Sequence, residues 1–140
     1  MKELNILVVD GQGGRVGKLI CEKLKASNLS CTITAVGTNS IATSSMLKGG
    51  ADQGATGENS VVVCSRDTDL IIGPLGIAIA DSLLGEITPA MANAIGQSKA
   101  IKLLIPINKC NNRIIGTEDI SLSDLVERTV KTVIKISNEI

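Results

Sequence analysis

Leu4-Asn5-Ile6-Leu7-Val8-Val9, followed directly by Asp10-Gly11-Gln12-Gly13-Gly14-Arg15-Val16-Gly17, is the stretch that decides the fold of this chain. Residues 4–9 are apolar apart from one Asn, the mark of a strand buried on both faces. The glycines make a tight turn. Val16, Leu19, Ile20, Lys23 and Leu24 then recur at helical spacing to about Ser27. Strand, glycine turn and helix in that order open a parallel α/β sheet.

The rest of the chain repeats this alternation. Residues 31–36 alternate β-branched side chains and predict a second strand, ended by Gly37-Thr38-Asn39-Ser40. Asn39 or Ser40 can cap a helix through Leu47, which Gly49-Gly50 stops. Residues 51–67 read two ways. Residues 51–55 suit a short third strand, and Val61-Val62-Val63-Cys64 leans to strand by propensity, whereas strict alternation would put a short helix there. Leu70-Ile71-Ile72 predicts a strand and residues 76–84 an apolar helix. Thr88-Pro89 supplies the cap and first turn of a helix over 90–97. A buried strand over 102–107, a short edge strand over 113–116 and an amphipathic helix capped by Ser121 complete the pattern. The expected architecture is α/β: a Rossmann-like three-layer sandwich with a mostly parallel sheet of about five strands and helices on both faces. One domain spanning residues 1–140 is expected.

Composition excludes several function classes. The chain has 140 residues with 14 basic and 14 acidic side chains, so no field of one sign predicts a nucleic-acid or membrane partner. It has no aromatic residue, so no base can stack on Phe, Tyr or Trp. It has no His, so acid–base chemistry would fall to Asp, Glu, Lys or Cys. Cys21, Cys31, Cys64 and Cys110 form no CxxC pair, and no metal site is expected. With no leader peptide read at the start, they predict reduced thiols in a cytoplasmic protein. Cys64 and Cys110 could be nucleophiles but lack a histidine to activate them. The apolar run 70–80 is broken by Gly73, Pro74 and Gly76 and is too short to span a bilayer. That run and the C-terminal helix carry enough apolar surface to predict a homodimer.

Ligands of such sheets bind beyond the carboxyl ends of the strands. The loop after the first strand is the leading candidate: Asp10, Gly11, Gln12, Gly13, Gly14, Arg15 and Val16. Its glycines would let a phosphate approach the backbone at a helix N-terminus. After the second strand, Thr38, Asn39 and Ser40 offer neutral donors and no carboxylate, which favours a 2′-phosphate, hence NADP over NAD. Gly73 and Pro74 follow a later strand. Thr56, Glu58, Asn59, Asp81 in the expected apolar helix, and Asn108 are further candidates, while Glu86 reads as a solvated side chain. Asp10 stands against a pyrophosphate by charge. Gly17-Lys18 is not a P-loop, because Leu19 stands where Ser or Thr would hold magnesium and Gln12 where the first glycine belongs.

Over about its first twenty-five residues the chain resembles the nucleotide loop of dihydrodipicolinate reductase-like enzymes, through Gly11, Gly14, Gly17 and the run Gly13-Gly14-Arg15. That resemblance implies Arg15 near a cofactor phosphate. Over its full length the chain is similar to a family of short bacterial proteins known as a domain of unknown function, number 3842. The likeness is carried by Val9-Asp10-Gly11-Gln12-Gly13-Gly14, Gly37-Thr38-Asn39, Gly54-Ala55-Thr56-Gly57-Glu58-Asn59, residues 73–89 and Leu104-Ile105-Pro106-Ile107-Asn108. It implies a Rossmann-like fold and brings no activity. The residues lead to a small-molecule-binding module for a phosphate-bearing ligand such as NADP. A stand-alone NAD(P)-dependent reductase and a structural protein that binds no ligand remain as alternatives, and no catalytic residue is assigned.

Overall fold

The computed structural model describes residues 3–107, 111–117 and 119–140. Five strands form one sheet: β1 (Leu4–Asp10), β2 (Cys31–Gly37), β3 (Gln53–Thr56), β4 (Leu70–Pro74) and β5 (Ile101–Ile105), in the order β3-β2-β1-β4-β5. Every pairing is parallel, with Leu4 opposite Cys31 on one side of β1 and Ile6 opposite Leu70 on the other. Helices α1 (Arg15–Ala26), α2 (Ser40–Lys48), α3 (Glu58–Cys64), α4 (Pro89–Gln97) and α5 (Leu122–Glu139) connect and cover the strands. The expected parallel α/β sandwich is the one observed.

The sequence of β1 explains the layering. Leu4, Ile6 and Val8 point to one face and pack with Ile20 and Leu24 of α1, Met46 of α2 and Val126, Val130 and Val133 of α5. Leu7 and Val9 point to the other and pack with Val61 of α3 and Met91 and Ile95 of α4. A strand with two apolar faces can lie only between two layers, so β1 takes the centre. N-caps start the helices where the residues predict: Asn39 accepts the amide of Ala42, Thr88 that of Met91 and Ser121 that of Asp124.

Four expectations are corrected. Val61-Val62-Val63-Cys64 belongs to helix α3, because the crossover from β3 to β4 must cover the second face, and burying Val61 there overrides β propensity. Residues 76–84 are not a helix. A 3-10 turn over Leu75–Ala78 leads into irregular turns in which the Ser82 hydroxyl takes the Gly76 carbonyl and the Asp81 amide donates to the Ile87 carbonyl. Residues 113–116 form no strand: the Thr117 hydroxyl closes a turn onto the Ile114 carbonyl, and Ile115 is exposed. The last strand ends at Ile105, before Pro106, and not at Ile107. Among the described residues no helix is long and apolar enough to cross a membrane.

Thr43 ties the open edge of the sheet together. Its buried hydroxyl accepts the Gly37 amide at 3.2 Å and lies 3.1 Å from the Ala55 carbonyl and 2.8 Å from the Thr56 hydroxyl. Thr43→Val keeps the shape but removes these bonds. It should cost about 1–3 kcal/mol in urea unfolding, and a cost near zero would show that the hydroxyl does not hold β3 in place.

Candidate functional site

The chain order reverses between β1 and β4, the place where open α/β sheets form a crevice. A cavity of about 500 Å³ opens there. Its floor is Asp10, Gly11, Gln12, Gly13, Gly14, Arg15 and Val16 from the turn between β1 and α1. Pro74, Leu75, Ile79, Ser82 and Leu83 make one wall. Pro106, Ile107, Asn112, Thr117, Asp119 and Ile120 make another, with Leu122 and Leu125 of α5 above them.

The glycines of the turn serve different purposes. Gly14 has φ 72°, in the left-handed region, and a Cβ there would lie 2.7 Å from the Ala42 backbone. A Cβ on Gly17 would meet Met46 at 2.5 Å. Gly14, expected to make room for a ligand, and Gly17 make room for α2. Gly13 is the reverse case: a Cβ there meets nothing within 4 Å, so its flank faces open space.

Asp10 is buried at the tip of β1. Its carboxylate accepts the Gly11 amide at 2.8 Å and the Gly17 amide at 2.7 Å. An anion beneath the start of α1 is favoured by the helix dipole and satisfies one first-turn donor. Its charge is thus directed into the protein's own backbone. The amides of Arg15 and Val16 have no acceptor within the helix, and none is supplied among the described residues. Arg15 itself is exposed at the cavity rim.

On the other side of β1 the site is closed by a residue read from sequence as solvated. Glu86 Oε1 accepts the Gln12 amide at 2.8 Å, the Thr38 hydroxyl at 2.5 Å and the Asn39 side-chain amide at 2.9 Å. Burial works against its charge, but the donations of Thr38, Gln12 and Asn39 outweigh that and hold the carboxyl below its ordinary value of 4.5. Thr38 and Asn39, read as donors to a 2′-phosphate, therefore donate to Glu86 and do not line the cavity, and Ser40 stands exposed at the start of α2.

The other candidates scatter. Gly73 is buried behind Pro74, its flank against the Val9 carbonyl. Thr56, Glu58 and Asn59 lie at the β3 edge, away from the cavity. Asp81 is exposed on a turn with φ 65° and neither belongs to a helix nor lines the cavity. Asn108 and Cys110 lie outside the described residues. Cys21 is buried on α1, its thiol pushed up to about 12 by desolvation, and Cys64 lies on α3 outside the cavity. Among the described residues no group of three or more His, Cys, Asp and Glu is arranged for a metal. Glu86, Leu83, Ile107 and Leu125 carry no local motif. Only folding back of the segments that hold them brings them to the turn.

A family model described as "Domain of unknown function (DUF3842)" matches residues 5–138. No curated protein matches the chain significantly. Among solved structures, the chain is similar to a dodecameric FMN-dependent UbiX-like decarboxylase from Escherichia coli O157:H7, over 98% of this chain and 95% of that one, with TM-score 0.50 and 15% identity. At that identity the likeness is one of fold.

Two outcomes follow from this geometry. Gly14→Ala should lose at least about 1–2 kcal/mol from its left-handed backbone alone, whereas Gly13→Ala should unfold in urea close to the parent. Equal losses would mean that the turn is not divided between packing and open space. For Glu86 the folded pKa is depressed, so its contribution to stability is complete above the unfolded value and is lost as pH falls through the folded one. Melting curves taken downward from pH 6 should show acid destabilisation that Glu86→Gln lacks in part. Superimposable profiles would remove Glu86 as the clamp.

Proposed function

The chain belongs to the DUF3842 family, and we propose that it is a small-molecule-binding module whose cavity at the ends of β1, β4 and β5 holds a phosphate-bearing mononucleotide, with FMN the ligand to test first. One observation carries this reading: the amides of Arg15 and Val16, which have no acceptor among the described residues, and the open flank of Gly13 border the same cavity as an apolar wall of Leu75, Ile79, Leu83, Ile107, Ile120 and Leu125. A phosphate on those amides gains hydrogen bonds and the positive end of α1, with the Arg15 guanidinium at the rim. The apolar wall suits a planar ring, and a cavity of about 500 Å³ is of the size that takes a small ligand.

The name of the fold neighbour, an FMN-dependent enzyme, agrees with a flavin. NADP has weaker support than the residues after β2 first suggested, since Thr38 and Asn39 are committed to Glu86. A 2′-phosphate placed beside them would meet that carboxylate.

The test is thermal denaturation with FMN, on protein shown by native mass spectrometry to carry no small molecule. Binding to the native state should stabilise by about 2.7 kcal/mol at a hundredfold excess over Kd. Gly13→Val should fold and lose that shift, because its side chain enters the space above the turn. Arg15→Ala should weaken it. If no mononucleotide moves the melting temperature, the reading fails.

A further inference from the structure

A dinucleotide on a sheet of this order straddles β1, one half on the β4 side and the other beyond the end of β2. The β4 side holds the open cavity. The β2 side is filled by the chain itself. Three donors from two loops, the Gln12 amide, the Thr38 hydroxyl and the Asn39 side-chain amide, converge on the single atom Oε1 of Glu86. On its Cβ side Gly11 has no room: a Cβ there would lie 2.7 Å from Thr38 Oγ1, 2.9 Å from Leu83 Cδ1 and 3.1 Å from Glu86 Oε1. This is the ground a pyrophosphate would cross to reach the second half-site.

The segment that delivers Glu86 is held at a cost. Asp81, Leu83 and Leu84 have φ of 65°, 54° and 56°, a backbone region that opposes any side chain. Leu84 at its tip is 88% exposed, so burial of that side chain does not offset the strain. Such strain persists where surrounding contacts over-determine it. Here they are the three bonds to Glu86, the Ser82 hydroxyl on the Gly76 carbonyl and the Asp81 amide on the Ile87 carbonyl. A carboxylate near the end of β2 can hold ribose hydroxyls. Glu86, however, commits Oε1 to protein donors and, with Leu83 and Thr38, closes the Cβ side of Gly11.

We propose that Glu86 is a resident anion that occupies the second half-site of this sheet and thereby restricts the ligand to a single nucleotide, excluding dinucleotides. A carboxylate oxygen and a phosphate oxygen accept the same donors, so the residues that would receive the phosphate of an adenosine half are already engaged by an equivalent group. This extends the mononucleotide reading, but the plug can be tested apart from it, with the adenosine half of NADP as probe.

Titration calorimetry with 2′,5′-ADP, NADP and NAD should show no measurable binding to the parent protein. Glu86→Ala releases Gln12, Thr38 and Asn39 and should bind 2′,5′-ADP and NADP measurably, with Kd at least about tenfold below the detection limit that the parent does not reach. Glu86→Gln loses the charge but keeps an acceptor oxygen, so it should gain several-fold, and it stands in if the alanine variant does not fold. FMN is titrated alongside. A gain for 2′,5′-ADP with no FMN binding supports the plug and removes the mononucleotide reading. FMN binding with no gain for 2′,5′-ADP in either variant overturns the plug and leaves that reading standing. A parent protein that binds NAD or NADP as tightly as the variants do also overturns the plug.

Discussion

The buried carboxylate of Asp10 governs how the chain leaves its central strand. It accepts the amides of Gly11 and Gly17 at once, so the turn between β1 and α1 is closed around it. In water such an anion would hold its hydration shell. Inside the protein it is stabilised by two backbone donors and by the dipole of α1. Fixing both ends of the turn fixes the angle of α1 against β1, and with it the approach of α2, whose Ala42 backbone lies too near Gly14 for any side chain there. The floor of the cavity is the outer surface of this same turn.

A division of labour follows within seven residues. The inner side of the turn, Gly14 and Gly17, is shaped by contacts within the protein, and the outer side, Gly13 with the amides of Arg15 and Val16, is left facing solvent and cavity. A glycine-rich loop therefore does not by itself point to a ligand. Two of its glycines answer a packing demand from a helix that begins about twenty-five residues later. Sequence spacing cannot separate the two uses, because the neighbour that decides them comes from another part of the chain.

Glu86 shows the same limit from the other side. Preceded by Gly85 and placed among turn residues, it has the local look of a solvated carboxylate. Its three donors come from Gln12, Thr38 and Asn39, which only the order β2-β1-β4 brings beside it. The donors after β2 were legible as a polar cluster suited to an anion. That the anion is the protein's own was not legible. Asp81 misled for a related reason. The apolar spacing of residues 76–84 suggests a helix, but the bonds made by Ser82 and Asp81 turn the backbone before a second helical turn can form.

What the residues determined alone was the parallel α/β sheet and the glycine turn at the end of its first strand. Two-sided burial of β1, the alternation of apolar strands with capped helices and the glycine turn after residue 9 are local properties, and a parallel sheet is the arrangement that satisfies them together. The caps at Asn39, Thr88 and Ser121 were equally local, since donor and acceptor lie within four residues. Tertiary structure decided whatever depends on a partner distant in sequence. It made Val61-Val62-Val63-Cys64 a helix by requiring a cover for the second face of the sheet. It bent residues 76–84 over the strand ends, and it turned the Glu86 carboxylate inward onto three donors. Short-range patterns record what a segment can be. Burial and hydrogen bonding across the fold select among those options, because a polar group removed from water must find its partner wherever the chain has placed one.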